Sequence, residues 1–269
     1  MSGSEIFWYR YEPADCKRVC SLSQDKLFIS DPEKFNDPFD ISDEMLQRPD
    51  GNVEKSSDWR RLESTFLNGS LTEASLWTSP LFPNKFEELV SDVQSETELG
   101  GWPSLAGAIR ENLQSFGVQC FSRDWRIPLC WAHYSSACKG FVIEYEAQEL
   151  TIAGGNLGSC HFHDVAYTSE PLSIGLAECL AVPNATLRRL LATKSPVWAY
   201  EKEVRLVHYK IKGDFAAMPA GLSIKSLIAG SHADKPMLQI LREKAESLKV
   251  ELYQVKMKHD GSFTKKLVD

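Results

Sequence analysis

The chain has 269 residues, 43% hydrophobic and 25% charged, with a formal net charge of −7 and a pI near 5.5. That length supports a core without disulfide staples. The acidic balance excludes a broadly basic footprint for indiscriminate nucleic-acid binding, although a local basic groove stays open. Seven cysteines, odd in number and scattered behind an N-terminus with no apolar leader, read as reduced thiols of a cytoplasmic protein. No apolar run approaches the roughly 18 residues of a membrane span.

In chain order, residues 6–11 (IFWYRY) predict an aromatic-rich strand. Asp15 then caps a short helix whose Cys16, Val19 and Cys20 recur at helical spacing. A second strand, 26–30, runs into SDPEKFNDPFD, a loop dense in Asp, Asn and Pro. The stretch at about 45–116 is polar and interrupted by Pro and Gly, with helices expected near 57–68, 84–97 and 104–116. It reads as a helical insertion within one domain spanning 1–269. Strands return at 118–122, 140–145, 160–167 and 203–209, with helical segments over 128–137 and 172–192. The tail reads as a strand (LSIKSLIAG), a helix opened by Asp234 with Pro236 in its first turn, and a closing strand (VELYQVKM). The whole predicts an α+β fold: a mixed or split β-sheet of seven or eight strands with helices around it.

Several clusters offer chemistry. In AYEKEVRLVHY, strand alternation puts Glu201, Glu203 and Arg205 on one face and Tyr200, Val204 and Leu206 on the other. Those carboxylates either decorate a solvated face, with Glu203 and Arg205 as a surface ion pair, or line a catalytic cleft. In CFSRDWRIPLCWAHY, Trp131 and Tyr134 stand at i, i+3, either as core packing or as a clamp for a planar ring with Ser122 at its edge. Asp37 and Asp40 in FNDPFD lack the spacing of a calcium loop; a braced turn suits them better, with Asn36 and Asp37 bonding their own backbone, Pro38 fixing φ, and Phe35 and Phe39 as anchors. Cys160, His161 and His163 do not converge on a strand, and no CxxC completes a zinc set, so no metal is expected. Cys120, Cys130 and Cys138 sit in apolar company, as inert buried thiols do.

Four motifs in order resemble a widespread bacterial family known as domain of unknown function 2971: a YRY triplet (9–11), SDPEKFNDPFD (30–40), the CFS…WAHY…G run (120–140) and K…WAYEKEVRLV (194–207). A more distant resemblance is to ADP-ribosyltransferases of the arginine-serine-glutamate class. Those enzymes carry an Arg on the first strand, a Ser at the end of a middle strand and an ExE pair opening a late strand. Arg10, Ser122 and Glu201-Lys202-Glu203-Val204 stand in that order here.

That second resemblance implies an ADP-ribosyltransferase-like sheet and cleavage of NAD at the nicotinamide–ribose bond, with transfer of ADP-ribose to a protein or nucleic-acid acceptor. It implies Glu203 as the carboxylate that stabilises the oxocarbenium-like ribose and Glu201 as the residue serving the acceptor. Arg10 would hold the pyrophosphate beside Tyr9, Trp131 and Tyr134 would stack on nicotinamide, and Ser122 would support Glu203. NAD is then a substrate, no metal is required, and an antitoxin or inhibitor partner fits a toxin or defence role. The competing readings are a metal-dependent nuclease or phosphodiesterase built on the FNDPFD carboxylates with His133 or His161, and a non-catalytic interaction module.

Overall fold

The computed structural model describes residues 6–37, 39–41, 46–47, 113–147, 160–170, 172–173 and 189–268. The helices expected near 57–68 and 84–97 lie outside the described residues, as does most of 104–116. The chain divides into two compact units: Met1–Ser30 with Gly117–Val165 and Val197–Asp269, and Asp31–Phe116 with Ala166–Pro196.

The first unit carries an eight-stranded sheet. Its strands are β1 (Ile6–Glu12), β4 (Phe116–Ser122), β5 (Phe141–Ala147), β6 (Cys160–Asp164), β10 (Glu203–Tyr209), β12 (Leu222–Ala229), β13 (Glu251–Met257) and β14 (Phe263–Leu267). They lie in the order β14-β13-β12-β5-β1-β4-β10-β6. The registered pairs β1–β5, β5–β12, β6–β10 and β13–β14 are antiparallel, whereas β12–β13 is parallel. A parallel pair needs a crossover, and α3 (Lys235–Leu248) supplies it. As its sequence predicts, Asp234 caps α3 by accepting from the Met237 N–H at 2.9 Å, and Pro236 sits in the first turn. The helix ends on Lys249 in the left-handed region, φ 58°.

One sheet face packs on α3 and on α1 (Cys16–Cys20), the helix capped by Asp15. Trp8, Phe121, Phe141, Ile143, Val204, Leu206, Leu227, Leu241 and Val19 make its core. In α1 only Val19 turns inward; Cys16 and Cys20 are exposed, because five residues present too narrow a face to bury all three. The other face packs on α2 (Pro128–Tyr134), where Trp131 meets Val142, Ile228, Val255 and Phe263. A two-stranded sheet of β2 (Lys26–Ile29) and β11 (Asp214–Ala217) completes the described strands of this unit.

The second unit contains β3 (Leu46–Gln47) paired with β8 (Leu172–Ser173), and β7 (Ala166–Tyr167) paired with β9 (Thr193–Lys194). In its FNDPFD loop, Asp37 accepts from the Phe39 N–H at 3.0 Å and the buried Asp40 pairs with the Lys194 ammonium at 3.4 Å. The loop is braced through the Asp37 backbone bond its sequence predicts, but the expected aromatic anchors are not there: Phe39 is 55% exposed and Phe35 only half-buried, and the Asp40–Lys194 ion pair holds the turn as well.

Four sequence expectations need correction. The segment expected to be helical over 172–192 opens instead as strand β8, and its residues 174–188 lie outside the described residues. The single strand over 160–167 is two: the Val165 N–H still bonds the Glu203 carbonyl at 3.1 Å, but Ala166 bonds Ala192 at 2.8 Å as the chain passes to the second unit. The helix over 128–137 stops at Tyr134, because Ser136, Ala137 and Cys138 all adopt left-handed φ values of 51°, 54° and 65°. Finally, 200–209 is not a continuous strand: Pro196–Glu201 is a 3₁₀ helix, and Lys202 at φ 49° turns the chain into β10. Among the described residues, no helix is long and apolar enough to cross a membrane.

Candidate functional site

The strands bearing Arg10, Ser122 and Glu203 are consecutive neighbours, β1-β4-β10. Tyr9 lies opposite Ser122, so those two side chains share a face. Arg10 is one residue out of step and belongs to the face of Trp8. Val204 and Leu206 share the Trp8 core cluster, which puts Glu203 and Arg205 on the opposite face from Arg10. Ser122 and Glu203 therefore lie on one face of the sheet, and Arg10, expected to join them, lies on the other.

Glu203 is 5% exposed and Arg205 0%. The pair is bidentate, Arg205 Nε to Glu203 Oε1 at 2.8 Å and Nη2 to Oε2 at 3.2 Å. It is thus a buried pair, not the surface pair that alternation alone suggested. Both oxygens of Glu203 face a guanidinium, so its charge is already matched.

Glu201 is placed differently. Ending the 3₁₀ helix, it does not share the strand face of Glu203 by alternation; the turn at Lys202 directs it towards α2. It is 6% exposed, and its Oε1 accepts from the Tyr134 hydroxyl at 2.5 Å. Its carbonyl accepts from Ser122 Oγ at 2.6 Å. Ser122 therefore supports Glu201, where the resemblance to ADP-ribosyltransferases implied Glu203. The same hydroxyl accepts from the Asp124 N–H at 3.1 Å, and Tyr11 donates to the Asp124 carbonyl at 2.8 Å, which fixes the loop after β4. Burial alone would raise the Asp124 carboxyl. Bonds from the Arg126 side chain and backbone and from Lys202 outweigh it and hold the group below the usual carboxylate range.

Beside Glu201 stands a ring cluster that sequence reasoning did not assemble. His133 lies with its ring centroid 6.3 Å from those of Trp198 and Tyr200, at 78° and 90°. Trp198 and Tyr200 are 6.1 Å apart, and the Tyr200 hydroxyl lies 3.4 Å from His133 Nδ1. His133 is exposed and the other two half-buried, so these rings border solvent. The signal was present: Trp198, Tyr200 and Glu201 form the WxYE of a single motif, and a short 3₁₀ helix gathers them.

Trp131, expected to stack on a ligand, is 0% exposed; its Nε1 donates to the Trp125 carbonyl at 2.6 Å and its ring packs edge-on to Tyr11 and Phe263. It is core. Tyr9 is half-buried opposite Glu144, and burial first, then the Glu144 charge and hydrogen bond, push its phenol upward. Glu144 also receives Ser226 Oγ and, at 3.0 Å, Lys265 Nζ, a polar knot on the face of α2. Among the described residues, no three His, Cys, Asp or Glu side chains group as metal ligands.

Gly140 closes the WAHY motif for a packing reason: a Cβ there would lie 2.2 Å from the Glu12 carbonyl oxygen. Only glycine lets the chain after α2 pass that close to β1.

Part of this site, from His133 and Tyr134 to Arg205, falls within the stretch matched by the sequence comparison. Residues 130–206 match the family described as Protein of unknown function (DUF2971). The family read from the motifs is met over this stretch, which runs from within α2 through Gly140, the 3₁₀ helix and Glu203 to Leu206; the YRY and SDPEKFNDPFD motifs lie outside it. Its description assigns the DUF2971 family no activity. No curated protein and no solved structure gives a significant match to the chain.

Proposed function

We propose that this protein is an ADP-ribosyltransferase-like enzyme that cleaves NAD at the nicotinamide–ribose bond and passes ADP-ribose to a macromolecular acceptor, with Glu201 as the carboxylate that faces the ribose. The observation that carries the reading is Glu201 itself. It is a nearly buried carboxylate, oriented by the Tyr134 hydroxyl and by Ser122 beneath its backbone, next to an open cluster of three rings. The adjacency of the three motif strands, with Tyr9 and Ser122 as a single registered pair between β1 and β4 among the described residues, supports an ADP-ribosyltransferase-like split sheet.

Loss of nicotinamide builds positive charge on the ribose. A carboxylate held in a low-dielectric site stabilises that charge without reorganising. Tyr134 keeps Glu201 oriented for this role, while His133, Trp198 and Tyr200 offer faces on which the nicotinamide ring can stack. Glu203 acts through Arg205: the buried pair fixes the start of β10, and with it the turn that presents Glu201. Arg10 takes no part at this site.

The test is nicotinamide release from NAD by the full chain, with and without a chelator, in the presence of lysate proteins or nucleic acid as acceptor. The reading predicts chelator-insensitive release with labelling of one acceptor class. Metal-dependent cleavage of nucleic acid with no nicotinamide release would replace it by the nuclease reading.

A further inference from the structure

We infer a second ligand site, a pocket beside α1 on the sheet face opposite Glu201, for a phosphate ester of mononucleotide class: an anionic head carried on a flat ring. The pocket measures about 270 Å³ and lies among β1, α1, β2 and β11. That is just under the roughly 300–1,000 Å³ of drug-sized ligand sites, so it suits a mononucleotide and is small for a dinucleotide such as NAD.

Charge is the first argument. Arg10, Lys17, Arg18 and Lys26 line the pocket against the single carboxylate of Glu12, a surplus of three positive charges in a chain whose net charge is −7. Both oxygens of Glu12 are engaged, Oε1 by Arg10 Nε at 2.5 Å and Oε2 by Arg18 Nη1 at 2.9 Å. Glu12 therefore fixes two guanidiniums in place without neutralising both. Arg10 is buried and also donates to the Phe28 carbonyl at 3.3 Å, leaving others of its five N–H groups for a ligand. Among the described residues, neither Lys17 nor Lys26 has a carboxylate partner. A phosphate monoester, with about −1.5 to −2 charges and three acceptor oxygens, complements this arrangement.

The rings are the second argument. Phe28 and Phe215 line the pocket with centroids 5.3 Å apart at 72°. Lys26 Nζ stands 4.8 Å from the centre of the Phe215 ring, and Arg10 Cζ 6.0 Å from that of Phe28. Cations placed beside aromatic faces bring the phosphate and the base of one small ligand within reach of adjacent groups. The inference does not rest on the activity proposed above, since no residue is shared between the two sites.

Calorimetric titration of the full chain at low salt tests it, using the 5′-monophosphates of adenosine, guanosine and uridine alongside adenosine, ribose 5-phosphate and inorganic phosphate. At least one nucleoside monophosphate is expected to bind, with adenosine at least about tenfold weaker, as the loss of charge-assisted hydrogen bonds dictates. The exposed pair R18A/K26A should weaken monophosphate binding by a similar factor. F215A should weaken it more than it weakens ribose 5-phosphate, and E201Q should leave it unchanged. Absence of monophosphate binding, equal binding of adenosine, or no effect of R18A/K26A overturns the site. Inorganic phosphate binding as tightly as the best monophosphate overturns the ring component.

Discussion

Replacing Glu203 by Gln should damage the fold before it reports on chemistry. The side chain keeps its shape, but Arg205, with no exposure to solvent, loses the negative charge of a bidentate partner at 2.8 and 3.2 Å. Removing one member of a buried ion pair costs about 3–5 kcal/mol, and neither group is exposed enough to discount that figure for solvent screening. In a chain of this size such a loss lowers the thermal midpoint by on the order of 10 °C. The assay is a urea melt of the parent, E203Q, R205M and E203Q/R205M, followed by tryptophan fluorescence. The account predicts a large loss in each single variant and a coupling between them above about 2 kcal/mol, since the two residues share one interaction. A Glu203→Gln protein within about 0.5 kcal/mol of the parent would refute the reasoning and restore the view of Glu203 as a group held ready for a ligand.

Trp131→Ala should cost about 3–5 kcal/mol in the same melts, because the ring is wholly buried between α2 and the sheet; a neutral effect would return Trp131 to the list of ligand-stacking residues. Gly140→Ala should destabilise by more than the ordinary glycine-to-alanine difference of about 1 kcal/mol, since the added carbon meets the Glu12 carbonyl at 2.2 Å and the chain must shift; a melt showing stabilisation would contradict that contact. Asp124 is depressed in the folded state, so its contribution is fully present above its unfolded pKa of about 3.9 and is lost as pH falls through the lower folded value. The stability gap between the parent and D124N should therefore be constant at neutral pH and shrink below about pH 4, and a gap that widens there would reverse the assignment.

Much of the first unit was legible because its signals are local. The Asp234 cap, Pro236 and the spacing of Met237, Leu241 and Ala245 define α3 without tertiary information. Alternation likewise paired Glu203 with Arg205. Burial was not legible, because the same alternation fits a wet face and a dry one, and only the packing against β10 decides between them. The position of Glu201 was hidden by Lys202, a non-glycine residue in left-handed conformation that ends a 3₁₀ helix inside what reads as one strand. The face of Arg10 was hidden by register: that it sits out of step with Ser122 follows from Tyr9 lying opposite Ser122, a fact about two strands more than a hundred residues apart. The pairing of Asp40 with Lys194 was invisible for the same reason, although both residues stand inside recognised motifs.

The central claim is that Glu201 carries the chemistry, and comparing NAD turnover by E201Q and the parent tests it most directly. Glutamine keeps the size of the side chain and its capacity to accept from Tyr134 while removing the charge. With folding verified by melts and the acceptor supplied in excess, nicotinamide release by E201Q should fall by about two to three orders of magnitude, as for loss of a major electrostatic group at a transition state. A folded E201Q protein that releases nicotinamide at the parent's rate would contradict the account.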